Sequence, residues 1–263
     1  MDLGLTGKRA IITGGSDGVG LAIAQALARE GTNVAIGARG RDKLDTAVEG
    51  LKALGVDAHG IVADFSEAQG CDQFVEDAAE ALGGIDILVN NVGGMTPGSI
   101  ESLSDEDWAK SIDINLMSYI RTARAALPHI RKSDMGRILN VSGLSGTQLL
   151  PGAWSTTIGN TAIHGVTKQL AQQCGADNIT VNAICPGTVR TAAWMGPRAE
   201  AMGKAMGKSS ADVRAMLASF AMLNRLAEPE EIGDTAAYLV SAKNSYMTGT
   251  TVEVCGGWAK YIG

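Results

Sequence analysis

The feature that most constrains this chain is an alternation that never breaks. Short β-branched runs and longer helical patterns follow one another along nearly its whole length. "RAIIT" (9–13) reads as a buried strand, and "GVGLAIAQALARE" after it as a helix opened at glycines. "NVAIGA" (33–38), "DAHGIVADF", "IDILVNN" (85–91), "GRILNVSG" (136–143), "NITVNAICPG" (178–187) and "GTTVEVCGG" supply six further strands. The helical patterns between them have readable ends. "DKLDTAVEGLKAL" stops at Gly55, and Ser66 with Glu67 opens the next helix. Ser104 caps a long one whose acids at 105–107 complement its dipole, and which runs past Asn115 to about Pro128. Pro229 takes the first position of a late helix.

Strict alternation predicts a doubly wound, parallel seven-stranded α/β sheet with helices on both faces. No linker, repeat or low-complexity tract divides it, so a single domain over 1–263 is expected. Only 192–212, rich in Met, Ala and Gly, reads as loose. Ligands of such sheets sit beyond the carboxyl ends of the strands, so this insertion would hang over the site as a flexible flap.

Composition excludes several function classes. A formal charge of −6 argues against a nucleic-acid partner, which calls for a basic face. Met1 opens no charged n-region before a long apolar run, and no stretch reaches about 18 consecutive apolar residues. Neither a secretory signal nor a membrane partner is expected. Cys71, Cys174, Cys185 and Cys255 lie far apart without metal-site spacing, which predicts free thiols, no metal and a cytoplasmic setting.

The first strand ends in Thr13-Gly14-Gly15-Ser16-Asp17-Gly18-Val19-Gly20. Glycines let the chain turn sharply and approach a pyrophosphate closely, and the following helix aims its positive end at the anion. This TGxxxGxG spacing resembles the short-chain dehydrogenase/reductase superfamily, and further likenesses follow in order. Asn90-Asn91-Val92-Gly93 resembles the family's NNAG. Asn115 in "DINLMS" resembles its helix asparagine, and Ser142 in "ILNVSG" its catalytic serine. "VNAICPGTVRT" (181–191) resembles the PG motif beside the nicotinamide, and "YMTGTTVEVCGGW" the C-terminal strand.

The resemblance implies a Rossmann fold, a nicotinamide dinucleotide and dimers or tetramers formed through the helices at 104–128 and 154–174. It implies cofactor contacts from Gly14, Ser16, Asp17, Gly18, Val19, Gly20, Asp64, Phe65, Asn91, Gly93, Asn160, Pro186, Gly187 and Val189. At the end of strand two, where an acid would bind the ribose hydroxyls of NAD, the chain reads Ala38-Arg39. Arginine suits a 2′-phosphate, so NADP(H) is favoured. Asp17 stands against it and keeps NAD(H) as the alternative.

In the family a tyrosine follows the serine by about 13 residues, and a lysine follows four later on the same helical face. Alignment on "AIHGVTKQLA" (162–171) places those sites at Thr156 and Asn160. None of the four tyrosines (Tyr119, Tyr238, Tyr246, Tyr261) has a lysine four residues on. Ser142, Asn115, Thr156 and Asn160 are therefore the candidate catalytic set. His164 lies one turn beyond Asn160, roughly 6 Å along the axis. It reads as a packing or interface histidine at the wrong depth, and His59 and His129 as structural. Trp194, Met195, Met202 and Met206 in the flap suit an apolar substrate or simple packing. Three readings stay open: an oxidoreductase on a small alcohol or ketone with non-standard proton transfer; a dinucleotide-binding protein without turnover, as sensor or hetero-oligomer partner; and non-redox chemistry on the same scaffold.

Overall fold

Seven parallel strands form one sheet in the order β3-β2-β1-β4-β5-β6-β7. They are β1 (Arg9–Thr13), β2 (Asn33–Ala38), β3 (Ala58–Val62), β4 (Ile87–Asn90), β5 (Arg137–Val141), β6 (Thr180–Pro186) and β7 (Thr251–Val254). The computed structural model describes residues 1–150 and 153–259; Tyr261 lies outside the described residues. The strand order reverses between β1 and β4, which makes their carboxyl ends the switch point where ligands bind in such sheets.

Period-two alternation sends successive side chains to opposite faces, and both faces are covered. Ala10 and Ile12 of β1 join a core with Ile23 and Leu27 of α1 (Gly18–Arg29), Leu44 of α2 (Arg41–Lys52) and Ile232 of α10 (Pro229–Val240). Ile11 faces the other way, into a core with Phe74 of α3 (Ala68–Leu82) and Ala123 of α5 (Ser118–Ile130). Ala171 and Cys174 of α6 (Trp154–Cys174) complete that second core. Phe65 meets Phe74 edge-on at 5.1 Å, each ring contributing about 2 kcal/mol by its burial.

Ser104 caps the long helix as predicted, and Asp107 completes a capping box with it. The helix is interrupted, however. α4 (Asp105–Ile112) passes through one π turn, Asp113–Met117, before α5 begins. Such turns carry an extra residue, often at functional sites, and this one holds Asn115. A second departure concerns 192–212, read as loose. It is helical: α7 (Ala192–Met195), α8 (Pro197–Met206) and the start of α9 (Ser210–Phe220). Pro197 opens α8, Gly207 closes it at φ 65°, and Ser209 with Asp212 boxes α9. Ala199, Val213 and Leu217 form a small core of their own there with Trp194, Met202 and Trp258.

A chain of buried side-chain hydrogen bonds crosses beneath the strand ends. Asn90 Nδ2 donates to Asn140 Oδ1 at 3.0 Å, and Asn140 Nδ2 to Thr167 Oγ1 at 2.9 Å. Thr167 Oγ1 in turn donates to the Ile163 carbonyl at 2.8 Å, so β4, β5 and α6 are joined below the site.

Candidate active site

The glycine turn is built largely from backbone. Gly14 and Gly18 take left-handed conformations, φ 67° and 58°, open chiefly to glycine. Gly20 sits so close to the turn that a Cβ would stand 2.3 Å from the Gly14 carbonyl oxygen. Asn91 Nδ2 donates to the carbonyls of Thr13 and Gly14 at 3.1 and 3.0 Å, and Thr13 Oγ1 accepts the amides of Asn91 and Val92. These bonds draw the turn's carbonyls inward, which leaves the N-terminus of α1 as its outward face. That shape fits a pyrophosphate. Asn91, expected along the adenosine, spends its amide on this brace.

Asp17 caps α1, accepting from the Gly18 amide at 2.7 Å. Its other oxygen accepts from Lys43 Nζ at 2.7 Å, and this bond holds the carboxyl below the usual range. Lys43 on α2 went unnoticed in the sequence. Its signal was a basic residue in the first turn of the helix after Arg39. Arg39 itself is exposed. The Asp64 carboxylate accepts from the Ser66 amide and hydroxyl, which lowers its pKa with help from the Arg39 charge. The Phe65 ring lies in the core, where it meets the position a Cβ on Gly37 would take.

At the carboxyl end of β5 the site is built from side chains. Ser142 Oγ lies 3.0 Å from His164 Nε2 and 3.3 Å from the Ile184 carbonyl oxygen. His164 thus reaches the serine; the expectation of a wrong depth fails because the loop comes to the helix. A Cβ on Gly146 would stand 2.9 Å from His164 Cε1, and one on Gly143 2.8 Å from Asn160 Nδ2. The G-x-x-G spacing after Ser142 was the readable sign of this close approach. Asn160 donates to Ser145 Oγ at 2.8 Å. Thr156 Oγ1 is buried with no hydrogen-bond partner among the described residues.

Asn115 Oδ1 accepts from the Gly94 amide at 2.9 Å and Nδ2 donates to Ser111 Oγ at 3.1 Å, which ties the loop after β4 to the π turn. A Cβ on Gly159 would press on Asn115 Cβ at 3.0 Å, so α6 packs directly on that turn. Tyr119 bonds the residue before Ser142: its hydroxyl donates to the Val141 carbonyl at 2.7 Å, and burial pushes its pKa up.

Pro186 ends β6, and Gly187 donates its amide to the Val254 carbonyl at 3.0 Å. Val189 is buried, and the loop continues to Thr191, whose Cγ2 lies 3.2 Å from a Cβ placed on Gly18. The PG loop therefore meets the glycine turn at Thr191. On β7, Glu253 Oε1 accepts from Thr147 Oγ1 at 2.8 Å. A cavity of about 100 Å³ opens beside Gly187 and Thr188, walled by Leu217, Leu223 and Trp258. Trp194 and Met202 pack against the small core of α8 and α9, whereas Met195 and Met206 stay exposed.

Over residues 14–259 the chain matches a family model described as enoyl-(acyl carrier protein) reductase. Oxidoreductase UcpA of Salmonella typhimurium is 37% identical over 255 residues, 96% of this chain and 95% of that one. L-sorbose reductase of Gluconobacter frateurii, solved with NADPH and L-sorbose, aligns over 100% of both chains with a TM-score of 0.94 and 33% identity. A variant of actinorhodin polyketide ketoreductase solved with NADPH aligns over 97% of this chain and 98% of its own, with a TM-score of 0.91 and 30% identity.

Proposed function

Since the chain belongs to the short-chain dehydrogenase/reductase superfamily of oxidoreductases, we propose that it interconverts an alcohol and a ketone with NADP(H), using a proton donor other than tyrosine. The observation that carries this reading is the cradle: a glycine turn braced by Asn91, with the PG loop closing on it at Thr191. Gly14, Ser16, Gly18, Val19 and Gly20 would hold the pyrophosphate, and Asp64 and Gly93 the adenosine side. Pro186, Gly187 and Val189 would hold the nicotinamide side. When bound, the dinucleotide supplies or takes up hydride.

NADP(H) is supported by Arg39 and by Lys43, whose ion pair offsets the negative charge of Asp17. The NADPH present in the two aligned structures points the same way. Thr156 and Asn160 stand where the family's tyrosine and lysine stand. Thr156 is an alcohol that can hydrogen-bond but does not ionise near neutral pH, and Asn160 remains a neutral donor toward the ribose. Ser142 polarises the substrate oxygen, Asn115 fixes the loop above it, and residues 192–212 form the substrate-side flap. Exposed Ile112 on α4 and Trp154 and Ile158 on α6 support a homodimer or tetramer through these helices.

Fluorescence titration with NADPH and NADH, followed by turnover with a panel of ketones and alcohols, tests this reading. NADPH is expected to bind roughly tenfold tighter than NADH, about 1.4 kcal/mol, and at least one substrate pair to turn over. Tight binding with no turnover across the panel overturns the oxidoreductase reading. Equal affinity for the two overturns the cofactor preference.

A further inference from the structure

The three histidines have different surroundings. His59 and His129 pair with the exposed carboxylates of Asp57 and Glu76, at 3.0 and 3.2 Å. His164 is half-buried and meets Ser142 Oγ through Nε2 at 3.0 Å, inside the proposed catalytic cleft. The serine hydroxyl has one proton and two acceptors in reach, His164 Nε2 and the Ile184 carbonyl. It can therefore donate to the imidazole, or donate to the carbonyl while accepting from the imidazole. Those are the two arrangements that a proton relay alternates between.

We propose that His164 carries the proton for Ser142, so that the pair performs the acid–base chemistry that a tyrosine performs elsewhere in the family. This rests on the oxidoreductase reading. Ser142 touches the substrate oxygen, and His164 acts through it as a positioning residue. In alcohol oxidation the substrate O–H proton passes to Ser142 Oγ as the serine's own proton passes to His164 Nε2. A bound oxidised nicotinamide would take up the C–H hydrogen with its two electrons as hydride, leaving the carbon–oxygen bond a carbonyl. Reduction runs the same steps backward and starts from a protonated imidazole.

The loop is shaped for this contact. Gly143 and Gly146 let Asn160 and His164, four residues apart on one face of α6, come down onto it. The neighbouring groups do not compete for the role. Tyr119 is committed to the Val141 carbonyl. The Cys185 thiol on β6 is pushed by burial up to about 12 and stays neutral. From β7 the Glu253 carboxylate acts on His164, and the 144–146 turn (Leu-Ser-Gly) carries no titratable side chain. On α6 itself, Lys168 turns toward Gly249. Burial pulls the His164 pKa below the usual histidine value, and the Glu253 charge partly opposes this. The imidazole is thus neutral at neutral pH and ready to accept a proton. The rate of alcohol oxidation should rise with pH through the His164 midpoint, and the rate of ketone reduction should fall through it.

Two measurements on native protein and on His164→Gln, Ser142→Ala and Glu253→Gln test the relay. The first is NMR titration of the imidazole in dinucleotide-free protein. Ser142→Ala is expected to move the His164 midpoint, and Glu253→Gln to lower it further. The second is the pH profile of turnover. His164→Gln is expected to lose the histidine limb and roughly 10²- to 10⁴-fold in rate, with NADPH affinity kept. Glu253→Gln should move the limb to lower pH, which keeps the test informative if His164→Gln does not fold. A His164 midpoint indifferent to Ser142→Ala, or a limb that survives in His164→Gln, overturns the relay. Native turnover matched by His164→Gln removes the relay alone. A native protein that binds NADPH and turns over nothing removes the oxidoreductase reading and the relay together.

Discussion

The glycine turn after β1 and the first turns of α6 lie in one cleft, but they are built in different materials. At the turn, the work is done by backbone amides, by left-handed residues at Gly14 and Gly18, and by the absence of a Cβ at Gly20. At α6 it is done by side chains hung on a regular helix, where Thr156, Asn160 and His164 change the chemistry without changing the helix. A site made of backbone cannot drift without disturbing the fold. A site made of side chains can be rewritten one position at a time, and here it carries a histidine in contact with the serine.

Substitutions at each end should separate the two. On dinucleotide affinity the largest effect is expected at Gly20→Ala, whose Cβ would press on the Gly14 carbonyl oxygen and on Asn91 Nδ2. Relief of that overlap costs about 1–3 kcal/mol, so dinucleotide affinity measured by fluorescence should fall roughly 10- to 100-fold. Unchanged affinity would mean that the turn yields more easily than its backbone contacts suggest. Gly146→Ala makes the opposite demand, pushing the loop off His164 Cε1 and Asn160. Turnover should drop by about tenfold while NADPH affinity stays within about twofold, since a misplaced relay slows proton transfer but leaves the cradle whole. Loss of both together would erase the distinction between the two ends.

The double change Thr156→Tyr with Asn160→Lys should restore a phenol to α6. Ketone reduction at high pH, where the imidazole is neutral, is then expected to rise by about tenfold in a rate-versus-pH comparison. No gain would show that the backbone of α6 has shifted away from the geometry that a tyrosine needs. The smallest effect is expected for Lys43→Gln. This exposed pair should weaken NADPH binding by roughly threefold and leave NADH little changed, read by parallel titrations. An equal loss for both would assign Lys43 to the Asp17 cap rather than to the phosphate.

What was legible in the sequence follows the same division. The strands and most helices could be read because β-branched runs, glycines and caps such as Ser104 act locally. The helices over 192–212 were missed because Gly196 and Gly207 divide them into short pieces and Gly203 lies within α8. Their cues, Pro197 at a first position and the Ser209–Asp212 capping box, lie inside a stretch that looks low in pattern. The π turn at Asn115 left no mark, since one extra residue in a helix does not disturb its apolar face enough to read. His164 was misjudged because its distance was taken along the axis of α6 alone. What closes the gap is the loop after Ser142, where Gly143 and Gly146 let the chain lie close against α6. Lys43 was missed for a related reason: it meets Asp17 across two elements that only the sheet brings together.

The buried bonds from Asn90 through Asn140 to Thr167 have a consequence for the cleft above them. Asn90 and Asn140 are direct partners across β4 and β5, and the chain leaves the sheet just beyond each, toward Asn91 on one side and Ser142 on the other. Each amide is satisfied only at this register, because a slip of either strand would strand a buried donor or acceptor. The ladder therefore acts as a spirit level under the cleft. It sets the bracket from which the glycine turn's brace at Asn91 and the serine at 142 both leave the sheet.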